Sequence, residues 1–182
     1  MALKRTVNAA VSQGRSIFST NPRRLAGQQP DPYAVRGAPA GRAVCKKCFA
    51  VYEKKRWRFD EAAYAKLSAQ KQTKAVTCPA CIKTHDRYSE GILTLRWSGL
   101  PEHRRDVLGL LRKEAARAKE VNPLERIMKI EDDGKEVRVF TTNTKLAQRM
   151  GREMERAYRG KTHYHWAHRD KLVRVYWERE ED

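Results

Sequence analysis

The chain has 182 residues, which is enough for one or two domains. Its 39 Lys and Arg against 22 Asp and Glu leave a net charge of +17, and that balance points to a polyanion, either nucleic acid or an anionic membrane surface. No stretch approaches 18 apolar residues, so a transmembrane helix is excluded, while a hydrophobic fraction of 40% still permits a modest core.

The charge is unevenly spread. Residues 1–44 hold 7 basic residues and 1 acidic one, residues 45–90 hold 11 and 5, and residues 91–182 hold 21 and 16, so the basic excess sits in the first half. Residues 1–41 contain Pro22, Pro30, Pro32 and Pro39 and show no sustained periodicity, which predicts a disordered basic tail. Residues 1–25 lack any acid and carry Lys4, Arg5, Arg15, Arg23 and Arg24. That composition fits a mitochondrial presequence or a basic arm that orders on nucleic acid. The expected compartment is therefore the cytoplasm, with the mitochondrial matrix as the alternative. Residues 31–37 are less random, and they are expected to dock on the folded body.

All four cysteines follow in two C-x-x-C steps, Cys45 with Cys48 and Cys78 with Cys81, separated by 29 residues. Thiolates are soft ligands suited to tetrahedral zinc, and two such turns close the coordination shell, so the site reads as structural Zn2+ rather than catalytic. A redox pair would call for one C-x-x-C in a βαβ context, and a disulfide pair for a secreted chain, yet no apolar secretory region precedes the cysteines. Lys46 and Lys47 favour thiolate over thiol, and they are also candidate nucleic-acid contacts. His85, four residues after Cys81, reads as a bystander.

The zinc-binding module is expected over residues 42–90. Residues 49–52 read as a short strand, followed by the basic run Lys54, Lys55, Arg56, Trp57 and Arg58. That run is either a solvated loop or a nucleic-acid contact, with Trp57 stacking on a base or anchoring the module's core. Asp60 is placed to cap a helix bearing Ala63, Tyr64 and Leu67 on one face and ending near Gln72.

From Gly91 the pattern becomes regular. Residues 92–97 alternate as a strand, Pro101 suits a helix first turn, and Val107, Leu111, Ala115 and Ala118 repeat at helical spacing. Asn122 and Pro123 stop that helix. A strand over 126–131, a turn at Asp133 and Gly134, and a strand over 136–141 follow. Leu146, Met150 and Met154 mark a second helix ending at Gly160, and residues 162–166 and 171–177 read as a closing hairpin. The chain is thus expected to be α+β, with a ferredoxin-like βαββαβ domain over residues 91–178 carrying one appended strand. Both helices would cover one face of its sheet.

Alternation then offers a contact surface. If Arg138, Phe140, Arg174 and Tyr176 share the helix-free face, they form a basic and aromatic platform of the kind that stacks unpaired bases. If not, these aromatics pack beneath the module or the tail. His163, His165 and His168 do not have a clearly placed carboxylate to complete a metal site. Phosphate-loop, dinucleotide-fold, metalloprotease, nucleophile-elbow and zinc-deaminase patterns are all absent, so no enzymatic activity is expected.

Several stretches resemble small bacterial zinc-ribbon proteins distantly similar to the N-terminal region of the Nmd-three-type export adaptor for large ribosomal subunits. They are Asp31-Pro32-Tyr33, the first cysteine pair with Phe49 to Tyr52, Arg56-Trp57, the second pair with Pro79 and Ala80, and Pro123 to Met128. The stretch with Thr141, Thr142, Leu146, Ala147, Arg149, Gly151, Ala157, Tyr158 and Gly160 is similar too, so the resemblance spans about residues 31–178. The adaptor has more knuckles and further domains, and here Phe49 stands where a glycine often follows the second cysteine. The resemblance implies zinc binding and contact with ribosomal RNA or a ribosomal subunit, and no export role. Together these features predict a non-enzymatic, zinc-stabilised RNA-binding protein, with no membrane ligand and no small-molecule substrate. A DNA-binding or transcription-associated zinc protein and a protein-interaction adaptor are the alternatives.

Overall fold

The computed structural model describes Tyr33, residues 41–167 and residues 171–180, and among these the chain is a mixed α+β fold with two sheets and four helices. The expected tail lies outside the described residues, apart from Tyr33 and Gly41. No helix among the described residues is long and apolar enough to cross a membrane.

The smaller sheet comes first. It comprises β1 (Ala43–Cys45), β2 (Val51–Glu53), β3 (Arg56–Arg58) and β4 (Lys74–Val76), with α1 (Glu61–Ser68) before β4 and α2 (Pro79–His85) after it. The order is β3-β2-β1-β4, with β1 and β4 parallel and the other pairs antiparallel. The parallel pair is the decisive feature. β1 ends at Cys45 and β4 ends two residues before Cys78, so their parallel alignment delivers both cysteine pairs to one end of the sheet. Asp60 caps α1, its carboxylate accepting from the Ala63 amide at 2.8 Å, as its position before the helix predicts. Leu67 is buried against Val44 and Val51, with Ala63 and Tyr64 alongside. The helix stops at Ser68 rather than near Gln72, because a turn closed by Thr73 N–H to the Gln70 carbonyl returns the chain to β4.

The larger sheet holds β5 (Gly91–Arg96), β6 (Ile127–Asp132), β7 (Glu136–Thr141), β8 (Lys161–Trp166) and β9 (Val173–Glu178). Helix α3 (Leu100–Val121) follows β5, and α4 (Thr144–Tyr158) follows β7. These seven elements match the sequence expectation in kind and order along the chain. Their ladder, β6-β7-β5-β9-β8, departs from it in one respect. The final strand is not appended at the edge; β9 is inserted beside β5, parallel to it, and β8 takes the edge. Burial explains the exchange. Val173, Val175 and Trp177 of β9 are all fully buried, whereas β8 carries Lys161, His163 and His165 and has no fully buried residue. The more apolar strand fills the centre, and the polar one guards the edge against pairing with other chains.

The core lies between this sheet and its two helices. Leu93, Leu95, Val137, Val139, Val175 and Trp177 meet Val107 and Leu111 of α3 and Leu146, Met150 and Met154 of α4. Each such side chain contributes about 1.5–3 kcal/mol of apolar burial. Gly151 permits the close approach of α4, since a Cβ there would stand 2.8 Å from Val175 and 3.0 Å from Thr162. One side chain of α2 joins the smaller sheet to the strand ends of the larger one. Lys83 donates to Glu90 at 2.7 Å in a buried ion pair, and its ammonium also reaches the Thr142 carbonyl at 3.5 Å. Tyr33 stacks on Tyr88 at 4.9 Å, so this residue of the 31–37 segment does dock on the body.

Candidate metal centre and contact surfaces

Each cysteine pair is set by a strand end and a turn. After β1, the Cys45 carbonyl accepts from the Phe49 amide at 2.9 Å, which folds the first pair into a tight knuckle. After β4, Pro79 opens α2 and the Cys78 carbonyl accepts from Ile82 at 3.0 Å, which places Cys81 one turn into that helix. The two pairs then face each other, and all four sulfurs lie within 4.8 Å of one another. Cys45 and Cys81 are 3.9 Å apart, and Cys48 and Cys78 are 3.6 Å apart. A tetrahedron of thiolates at about 2.3 Å from a central ion has edges of about 3.8 Å. The four thiols thus form a cage of the right size for one metal ion, and sulfurs this far apart are not bonded as disulfides.

Electrostatics around the cage point the same way. With only sulfurs facing one another, charge cannot be shared evenly. Contacts from Cys48, Cys78 and Cys81 hold Cys45 far below the ordinary thiol range. The contact with Cys45 pushes Cys48 upward, but those with Cys78, Cys81 and Arg126 outweigh it and bring Cys48 to about 6. Contacts with Cys45 and Cys48 push Cys78 and Cys81 up. Four thiolates packed this closely would repel one another, and a bound cation would offset that charge.

Arg126, which the spacing of the cysteines gives no reason to expect, caps this cage from the larger domain. Its Nη2 donates to Cys48 at 3.0 Å and reaches Cys78 at 3.8 Å, while Nη1 reaches Cys81 at 3.5 Å. The side chain is fixed by Nε donation to the Pro123 carbonyl at 2.5 Å, and its backbone amide donates to Thr142 Oγ1 at 2.9 Å. Glu125 next to it accepts from Arg149 of α4 at 2.5 Å. The 123–128 stretch is therefore a bracket between the cysteine cage and α4. Its one sequence signal is its place among the stretches that carry the resemblance.

Lys46 and Lys47 are exposed and border a cleft of about 590 Å³ beside the cage, lined also by Thr77, Cys81, His85 and Arg126. His85 is exposed and faces Asp86 at 3.0 Å, and it is outside the sulfur cage.

The register of the larger sheet settles how the four platform residues are arranged. Phe140 lies opposite Ile92, and Ile92 opposite Arg174; in the next row Arg138 lies opposite Thr94, and Thr94 opposite Tyr176. Alternate neighbours of these residues, such as Val139, Leu93 and Val175, are buried under α3 and α4, so Arg138, Phe140, Arg174 and Tyr176 share the opposite face of the sheet. His165 extends the first row and His163 the second, and the His165 ring meets Tyr176 edge-on at 5.3 Å. Arg138 is paired with Glu131 at 3.4 Å and Glu136 at 3.3 Å, while Arg174 is exposed with no ion pair among the described residues. His168 lies outside the described residues.

The basic run of the smaller sheet divides. It is not a loop but a hairpin, with Lys54 and Lys55 at its tip and Arg56 to Arg58 forming β3. Trp57 must be removed from the candidate base-stacking residues: it is 8% exposed and packs against Tyr52 at 5.2 Å, beside Cys45 and Cys78. Alternation sends it inward and leaves Arg56 and Arg58 outward. Arg58 is engaged by Glu53 at 3.0 Å and Asp60 at 3.5 Å, whereas Lys54, Lys55 and Arg56 are exposed and have no ion pair among the described residues.

Compared with protein-family models, with curated proteins and with solved structures, the chain matches none.

Proposed function

We propose that this protein is a zinc-stabilised, non-enzymatic RNA-binding protein that acts on ribosomes in the cytoplasm. The observation that carries this reading is the common face of Arg138, Phe140, Arg174 and Tyr176. Two half-buried aromatic rings and the Arg174 guanidinium stand on the sheet face opposite α3 and α4, which suits unpaired bases stacking on the rings with phosphates beside the cation. A net charge of +17 supplies the long-range attraction.

Zinc is the metal we assign to the cage, because four thiolates at tetrahedral edge lengths suit a closed structural zinc site. A bound zinc would hold the two knuckles together and neutralise part of the thiolate charge. Cys45, Cys48, Cys78 and Cys81 would be its ligands, with Arg126 donating to three of the sulfurs. The larger domain we read as a ferredoxin-like frame widened by the insertion of β9. Ribosomal RNA is the class of RNA to which the resemblance of the knuckles and of residues 123–160 points.

The test is binding of the whole protein to a labelled single-stranded ribosomal RNA fragment, with duplex DNA as competitor, across a salt series. The expected result is preference for RNA and an affinity that falls steeply with salt through counterion release. Equal competition by duplex DNA would favour a DNA-binding protein, and affinity independent of salt would contradict the electrostatic basis.

A further inference from the structure

The end of the smaller sheet opposite the cysteines gathers cations from all four strands. Arg42 precedes β1, Lys54 and Lys55 form the β2–β3 turn, Arg56 opens β3, Lys71 lies in the turn before β4, and Lys74 opens β4. All six are exposed. Register places them level with one another. Ala43 lies opposite both Tyr52 and Lys74, Glu53 lies opposite Arg56, and the Lys74 amide donates to the Arg42 carbonyl at 3.3 Å. At a strand spacing of about 4.8 Å, four strands make a rim about 14 Å wide. Glu53 is the carboxylate at this rim, and it is engaged by Arg42 and Arg58, each at 3.0 Å. Lys54, Lys55, Arg56, Lys71 and Lys74 have no carboxylate partner among the described residues.

The backbone at the tip is a second, independent observation. Lys54 has φ +51° and Lys55 φ +62°, so both central residues of a two-residue hairpin are left-handed. Asn and Gly are the low-energy occupants of such a turn, and a longer side chain is strained there. Neither lysine makes an ion pair that would offset the strain. Residues held in sparsely populated backbone regions cluster at ligand-contact sites, so the tip is a candidate contact point.

We propose that this rim is a docking site for the phosphodiester backbone of RNA, distinct from the open sheet face. The proposal rests on the RNA-binding reading above and adds to it a surface that takes phosphate rather than base. The chemistry selects phosphate over a protein partner. Protein interfaces are built on aromatic and apolar centres and are depleted in lysine. This rim is mainly lysine, with its one tryptophan turned inward. Lysine-rich contacts to phosphate position a nucleic acid without reading its sequence.

The experiment uses the full chain and a fluorescently labelled ribosomal RNA hairpin with a single-stranded flank. Two variants are compared with the unaltered protein, Lys54→Asn with Lys55→Gly, and Lys71→Gln with Lys74→Gln. The first relaxes the backbone while removing charge, so its thermal midpoint should equal or exceed that of the unaltered protein. Its RNA affinity at low salt should nevertheless fall, and the slope of log affinity against log salt should shrink by about two, one for each phosphate that is no longer neutralised. The second variant, which leaves the hairpin untouched, should show the same reduction in slope. Unchanged affinity and slope in both variants, with the unaltered protein binding normally, would overturn the rim while leaving the RNA-binding reading in place. Failure of the unaltered protein to bind the hairpin would overturn both.

Discussion

Removing the Arg126 guanidinium should weaken metal binding although no metal ligand is touched. Four thiolates around a divalent ion carry a net charge of −2, and Arg126 offsets half of it from contacts of 3.0 Å to Cys48 and 3.5 Å to Cys81. A unit-charge pair about 4 Å apart is worth about 4 kcal/mol at an effective dielectric of 20, before desolvation of the half-buried arginine is subtracted. Groups that hydrogen bond to metal ligands typically account for a factor of about 10–100 in affinity, or about 1.4–2.7 kcal/mol, and Arg126→Met should fall in that range. Arg126→Lys should fall between, since an ammonium keeps the charge but cannot reach two sulfurs with one planar fork. The assay is competition for zinc against a chromophoric chelator under reducing conditions, with the thermal midpoint of the metal-loaded protein read in parallel. An Arg126→Met protein that holds zinc as tightly as the unaltered chain would refute the bracket role of the 123–128 stretch.

Other changes separate packing from contact. Phe140→Ala with Tyr176→Ala should lower affinity for single-stranded RNA by about 1–3 kcal/mol per ring, measured by fluorescence anisotropy, without lowering the thermal midpoint comparably. Trp57→Ala should do the opposite, costing about 3–5 kcal/mol in denaturant unfolding because it empties the centre of the smaller sheet. Lys83→Met should destabilise the protein in a urea titration, since buried Glu90 loses the ammonium that donates to it at 2.7 Å, and Lys83→Met with Glu90→Leu should recover much of that loss. Gly91→Ala should destabilise by about 1–3 kcal/mol, because its Cβ would stand 2.5 Å from Thr141 Oγ1 and 2.7 Å from the Ala147 Cβ.

Much of this architecture is legible in local pattern. The helical stripe from Val107 to Ala118, the Asp133-Gly134 turn and the alternation along β7 each fix one element, because a single period decides them. The four cysteines announce their cage through spacing alone. Strands β1 and β4 escape such a reading, since three residues are too few to show a period, and helix α2 is concealed inside the second knuckle. The place of β9 depends on a comparison of two whole strands that no local rule makes. Parity alone links Arg138 to Phe140 and Arg174 to Tyr176, but joining the two pairs on one face requires the β5 register between them. Arg126 is the hardest to foresee: it acts on Cys48 from 78 positions away, so only the assembled fold reveals it. Trp57 shows the converse, a basic run whose aromatic member is drawn inward by strand alternation.

The most direct test of RNA binding through the open face is photo-crosslinking of the zinc-loaded protein to ribosomal RNA, followed by mapping of the linked peptides. Crosslinks are expected in β7 and β9, at Phe140 and Tyr176, and they should disappear when those rings are replaced by alanine. Crosslinks confined to the exposed surfaces of α3 and α4, on the opposite side of the sheet, would contradict binding through that face.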